Sequence, residues 1–260
     1  MKVAIVTLSA EGARIAQSLR AGFPGASVFV HEKVKGRESD TSFANVVALT
    51  RGLFLRYEGL IYVAPCGVAV RALAPNLRDK RRDPAAVVVD AFARYAISLL
   101  SGHEGGANEL CVKVANLLGA EPVVTTTTDA LKDVIVGVGC RRGTPADRIV
   151  EAVTGVLESI PVELSRVRLL ASAGVKANEE GLHAAALRLG VPLRIVPSAE
   201  IRETGRKFAH SDFVKEKVDL PAVAEPAALL AGRRTRLLLP KTARDGVTVA
   251  VAVENCSSSE

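Results

Sequence analysis

Residues able to do chemistry crowd into one short stretch. Ser101-Gly102-His103-Glu104-Gly105-Gly106 follows an apolar run, residues 96–100, and leads through Ala107-Asn108-Glu109 into a helix expected over residues 110–118. Glycines let the backbone take positive φ and approach a ligand closely. Free N–H groups at the start of the next helix face whatever sits in the turn and favour an acidic ligand. A serine, a histidine and two carboxylates converge there, the mixture that binding and catalytic loops use. A glycine-rich connection with a helix cap would use similar residues, so the stretch alone leaves both readings open. A second polar run, Thr125-Thr126-Thr127-Thr128-Asp129, also has two readings, as ligand groups or as turn and cap residues.

The elements that must carry these residues alternate. Strands are expected over residues 2–7, 27–30, 59–64, 86–90 and 122–124, with helices over 10–21, 42–55 and 66–73. Continuous apolar strands between helices argue a parallel sheet covered on both faces. The second half repeats the pattern. Strands are expected over 134–138, 168–171, 193–196, 235–239 and 247–253, and helices over 144–158, 177–189 and 225–230. Residues 198–217 read as short helices and loops. The fold class is therefore α/β, with two domains that each hold a mainly parallel sheet flanked by helices. The first is placed at 1–131 and the second at 132–256, with a frayed tail at 257–260. Ligands gather beyond the carboxyl ends of parallel strands. The polar segments Thr7-Leu8-Ser9, Pro65-Cys66-Gly67, the glycine turn and the threonine run are all expected there.

Composition excludes several classes. Net charge is +6, which suits an acidic partner, but the densest basic run, residues 78–83, is interrupted by acids and reads as a solvated loop. Aromatics make up 4% of the chain and tryptophan is absent, against base-stacking surfaces. Nucleic-acid binding has only the net charge in its favour. There is no Walker A pattern, and Ser-Gly-His-Glu-Gly-Gly is not the dinucleotide fingerprint. Cys66, Cys111, Cys140 and Cys256 form no CxxC pair, so neither a zinc site nor a disulfide framework is supported. Reduced thiols and a cytoplasmic location are the simple reading. The first residues lack the regions of a signal peptide, and no apolar run is long enough to cross a membrane.

Three further segments join the glycine turn in a family likeness: Ala64-Pro65-Cys66-Gly67-Val68-Ala69-Val70-Arg71, Asp79-Lys80 with Asp83-Pro84-Ala85 and Val87-Val88-Val89-Asp90, and the threonine run. In the second half, Gly137-Val138-Gly139-Cys140-Arg141-Arg142-Gly143, Lys176 with Glu179-Glu180-Gly181, and Leu239-Pro240-Lys241-Thr242 take part. Together they resemble the cobalt-precorrin-5A hydrolase family of anaerobic cobalamin biosynthesis, over nearly the whole chain. Many members of that family carry a middle domain; here Asp129 leads almost directly into Val134.

The resemblance implies a reaction. A δ-lactone on ring A of the macrocycle is hydrolysed, and the C-20 carbon leaves with its methyl group as acetaldehyde, giving cobalt-precorrin-5B. Cobalt arrives inside the substrate, so no cofactor and no metal site of the protein's own is expected. His103 or Glu104 would hold the attacking water as general base. Ser101 and the turn amides would stabilise the oxyanion. Glu109 or Asp90 would move the later proton. Arg71, Lys80, Arg81, Arg141 and Arg142 would pair with the substrate's carboxylates, arginine with two parallel hydrogen bonds. Gly67, Gly102, Gly105, Gly106, Asn108, Thr126, Thr127 and Asp129 complete the expected substrate contacts. The partner is thus a cobalt-containing polycarboxylate tetrapyrrole, with other enzymes of the pathway as further candidates, no nucleic acid and no membrane; the oligomeric state is left open. A non-catalytic tetrapyrrole-binding or carrier protein of the same pathway is the alternative.

Overall fold

The computed structural model describes residues 1–35, 37–204 and 222–255. Expectations for 205–217, for Cys256 and for the tail at 257–260 lie outside the described residues. The chain divides into two compact units, 1–127 and 128–260. No helix among the described residues is long and apolar enough to cross a membrane.

The first unit is built on a sheet of seven strands: β1 (Val3–Thr7), β2 (Ser27–His31), β3 (Thr41–Phe43), β4 (Gly59–Val63), β5 (Ala85–Val89), β6 (Tyr95–Leu100) and β7 (Glu121–Val123). Their order is β3-β2-β1-β4-β5-β6-β7. Strands β1, β4 and β5 are buried at every position, as apolar runs in the interior of a sheet covered on both faces should be. Helices α1 (Ala10–Gly22) and α4 (Ala107–Leu118) join a core containing Ile5, Leu19, Ile61, Val87 and Val114. Helices α2 (Val46–Phe54) and α3 (Cys66–Leu73) join another containing Val6, Leu53, Tyr62, Leu73 and Val88. The short helix α5 (Thr127–Ala130) follows β7.

Two expectations for this unit change. The helix expected over 42–55 begins only at Val46, because the Asn45 side chain accepts from the N–H groups of Val47 and Ala48 and caps it there. The residues before it add β3 to the sheet beside β2. The larger change is one of direction. Strand β6 runs antiparallel to β5, pairing Val89 with Ala96 and Ala86 with Leu100, and β7 is parallel to β6. The connection of residues 90–94 is too short for a crossover, which needs a dozen or more residues. The Asp90 carboxylate builds this turn by accepting from the N–H groups of Phe92, Arg94 and Tyr95. Burial works against that charge, but the three N–H donors and the Arg94 side chain outweigh it and hold the carboxyl below the usual aspartate range.

The second unit has its own sheet, β10-β9-β8-β12-β11, from β8 (Val134–Cys140), β9 (Val167–Ala173), β10 (Leu193–Val196), β11 (Thr235–Arg244) and β12 (Val247–Glu254). Strands β8, β9 and β10 are parallel; β12 is antiparallel to β8 and β11 antiparallel to β12. Strand β11 runs on past Leu239, where it was expected to stop, into a hairpin at Asp245-Gly246, both at positive φ. Helices α6 (Ala146–Glu158) and α7 (Glu180–Leu189) cover one face with Ile149, Val153, Val156 and Leu182 in the core. The short helix α8 (Ser198–Glu203) follows β10, and α9 (Ala224–Leu230) packs on β8, β9 and β12. A Cβ on Gly137 would lie 1.9 Å from the Ala224 carbonyl oxygen, so only glycine lets α9 sit this close to β8.

Candidate functional site

Strand direction decides which candidate residues meet. In the first unit, Thr7-Leu8-Ser9 and Pro65-Cys66-Gly67 follow β1 and β4 at the carboxyl edge of the parallel strands, and Asp90 follows β5 at that edge. The glycine turn follows the reversed strand β6 and lies at the opposite, amino edge. The threonine run follows β7 and reaches the same amino edge. The expectation of one cluster beyond the carboxyl ends is therefore corrected: these residues form two groups at opposite ends of one sheet.

The amino-edge group is tightly built. The N–H groups of Gly105 and Ala107 both donate to the Ser101 carbonyl, at 3.1 Å, and Asn108 N–H donates to the Gly102 carbonyl. Ser101 holds φ +58, a left-handed value uncommon outside glycine and asparagine. Gly106 takes φ +81 where α4 begins, at Ala107 rather than at residue 110. A Cβ on Gly105 would meet Ser101 Cβ at 2.4 Å, and one on Gly102 would meet Thr126 Cγ2 at 2.5 Å. Asn108 is buried and bridges three segments: its Oδ1 accepts from the Ser98 hydroxyl at 2.7 Å, and its Nδ2 donates to Thr126 Oγ1 at 2.8 Å. Ser98 lies within the apolar run of β6 and is named by no spacing rule.

On this frame the reactive groups sort by exposure. Ser101 is buried, and its Oγ has no hydrogen-bond partner among the described residues. A buried hydroxyl without a protein partner is destabilising. His103, Glu104 and Glu109 are exposed, with Glu109 in the first turn of α4. Glu104 is held by Lys80 at 3.2 Å, with Arg81 at 3.9 Å. The loop that supplies these two bases is itself fixed by buried Asp83, which accepts from the Arg78 N–H. The Glu104 carboxylate is thus engaged as an ion-pair partner, and His103 is exposed beside it. Thr127 is exposed, while Asp129 pairs with Lys132 at 3.2 Å and belongs to the second unit.

The carboxyl-edge group has less to react with. The Ser9 hydroxyl caps α1 through Gly12 N–H. Arg71 is exposed and its Nη1 donates to the Gly67 carbonyl at 3.0 Å. Asp90 is engaged by its own turn, as described above. Cys111, in the core, donates to the Ala96 carbonyl and packs α4 on β6. Cys66, Cys111 and Cys140 are free thiols. Among the described residues, no three His, Cys, Asp or Glu side chains are grouped to hold a metal ion.

In the second unit, Arg141 and Arg142 stand exposed in the turn after β8. Glu179 fixes that turn by accepting from the Gly143 N–H at 3.1 Å, and it pairs with Lys176 at the same distance. The Gly143 bond, more than any other influence, holds its carboxyl below the usual glutamate range; Lys176 and Arg142 add to it against burial. Burial pushes the neighbouring Cys140 thiol up. A Cβ on Gly181 would strike the Thr144 carbonyl at 2.0 Å, so glycine lets α7 close on the turn.

Residues 48–129 match the family model described as cobalamin synthesis G N-terminal, and residues 134–252 match cobalamin synthesis G C-terminus. Only residues 130–133 separate the two matches. A Salmonella typhimurium protein named cobalt-precorrin-5A hydrolase is 28% identical over 347 residues, covering 96% of this chain and 97% of that protein. That alignment is longer than this chain of 260 residues, so the relative carries segments without a counterpart here. A Priestia megaterium protein of the same name is 37% identical over 179 residues, covering 67% of this chain and 48% of that protein. Protein CobE of a Sinorhizobium species is 32% identical over 128 residues, covering 48% of this chain and 83% of its own length.

Proposed function

The chain belongs to the cobalamin synthesis G family, and on that footing we propose that it is a hydrolase of cobalamin biosynthesis acting on cobalt-precorrin-5A. The proposed reaction opens the ring A δ-lactone with water and releases C-20 with its methyl group as acetaldehyde, giving cobalt-precorrin-5B. Cobalt enters as part of the substrate. The relatives' names support the substrate, and the amino-edge turn supports the chemistry.

The observation that carries the mechanism is the buried, unpartnered Ser101 hydroxyl two residues from the exposed His103. His103 holds the attacking water and takes its proton; imidazole is the side-chain type suited to that transfer near neutral pH. Ser101 Oγ donates to the oxyanion as the lactone carbonyl becomes tetrahedral. The Gly105 N–H is not available for that role, because it is bonded within the turn. Glu104 orients Lys80 toward the turn, where the ammonium meets a substrate carboxylate. Of the two carboxylates expected to move the later proton, Glu109 lies at the amino edge; Asp90 lies at the other edge and is engaged in its turn.

The test is anaerobic incubation of the purified chain with enzymatically made cobalt-precorrin-5A, following acetaldehyde and the mass of the macrocycle. Acetaldehyde release that falls about 10²–10⁴-fold in His103→Ala supports the assignment. Undiminished release in that variant removes His103 as the base. Binding without release points to a tetrapyrrole-binding protein instead, and neither binding nor release overturns the reading.

A further inference from the structure

The second unit carries an open groove of about 850 Å³. Three elements wall it: the turn after β8 with Arg141 and Arg142, helix α6 with Arg148, and the β11–β12 hairpin with Arg244. Four arginines from three separate stretches of chain therefore face one concave surface. Glu151, Glu158 and Asp245 also line it, yet among the described residues Arg141, Arg148 and Arg244 form no ion pair or side-chain hydrogen bond. A Cβ on Gly155 of α6 would lie 2.1 Å from Arg244 Nη1, so the Arg244 guanidinium lies against the α6 backbone at Gly155 and an alanine there would shift it. Gly246, at φ +81, forms the tip of the β11–β12 hairpin, and the Arg141 side chain passes beside it.

Unpaired guanidinium groups spread over a groove of this size fit an extended body bearing several carboxylates better than one small anion. Each arginine can take one carboxylate through two parallel hydrogen bonds. The volume lies in the range of small-molecule sites, and an open groove receives one edge of a large flat ligand. We propose that this groove binds the carboxylate arms of a polycarboxylated tetrapyrrole, with Arg148 and Arg244 acting beside Arg141 and Arg142. The ligand class rests on the hydrolase reading above; the groove and its unpaired arginines do not.

Uroporphyrin, a flat tetrapyrrole with eight carboxylates, is the probe. It is titrated into the full chain by fluorescence, beside protoporphyrin, which has two, and inorganic phosphate as competitor. Arg148→Gln and Arg244→Gln should each weaken uroporphyrin about tenfold or more, as loss of a charge-assisted hydrogen bond does. Arg51→Gln, which removes the same charge from an exposed position of the first unit, should leave affinity unchanged. Gly155→Ala displaces Arg244 without altering net charge and should also weaken binding. Thermal melts of each variant identify any that is misfolded. Equal affinity in all three groove variants, equal binding of protoporphyrin, or displacement by phosphate at matching concentration overturns the proposal. Acetaldehyde release distinguishes the two readings. Arginine-dependent uroporphyrin binding without release sinks the hydrolase and keeps the groove. Release with KM unmoved in the arginine variants sinks the groove alone.

Discussion

Ser101 combines a left-handed backbone, near-complete burial and an unpartnered hydroxyl, and each of these is unfavourable for folding. Ser101→Ala removes the buried polar atom and leaves the backbone as it is. Urea unfolding should show stability unchanged or raised, while turnover falls about 10²–10³-fold, the effect of losing one oxyanion donor. A variant that loses stability and keeps its rate would reverse that assignment. Residue types in one short window made Ser101, His103 and Glu104 visible in the sequence. Their partners were less so. Ser98 reaches Asn108 through strand register, and Lys80 reaches Glu104 because the loop of residues 78–83 ends at the start of β5, beside the end of β6. Neither relation has a fixed spacing along the chain.

Asp90 matters to an element rather than to a site, since its carboxylate forms the turn that reverses β6. Its carboxyl is held below the ordinary aspartate value, so its contribution to stability is complete above about pH 4. It is lost as pH falls through the lower folded value. Asp90→Asn should lower the urea midpoint by a constant amount between pH 5 and 7, and the gap to the parent should close as pH drops below about 4. A gap that is the same at every pH would mean the charge is not what holds the turn. Most elements were legible because buried parallel strands are continuous apolar runs and the helices between them have clear periods. Direction was not, because an apolar run reads the same either way. The one available signal was length: the connection of residues 90–94 between β5 and β6 cannot span a parallel crossover. The Asp245-Gly246 pair was a comparable signal for the hairpin that carries Arg244.

Among the described residues, each core cluster draws its side chains from one unit alone. Residues 128–260 produced by themselves should therefore fold and unfold in one cooperative urea transition, read by far-ultraviolet circular dichroism. A broad, non-cooperative loss of signal would show that the second core needs the first. The reversal of β6 has a consequence for descent. The first sheet acts as a spacer about 15 Å deep, the length of five strand residues, and a different set of loops decorates each rim. Substitutions after β1 and β4 alter one rim; substitutions in residues 101–106 and 125–126 alter the other. A lineage can rework either rim for a new ligand while inheriting the opposite one intact, so the two surfaces are free to diverge at separate rates.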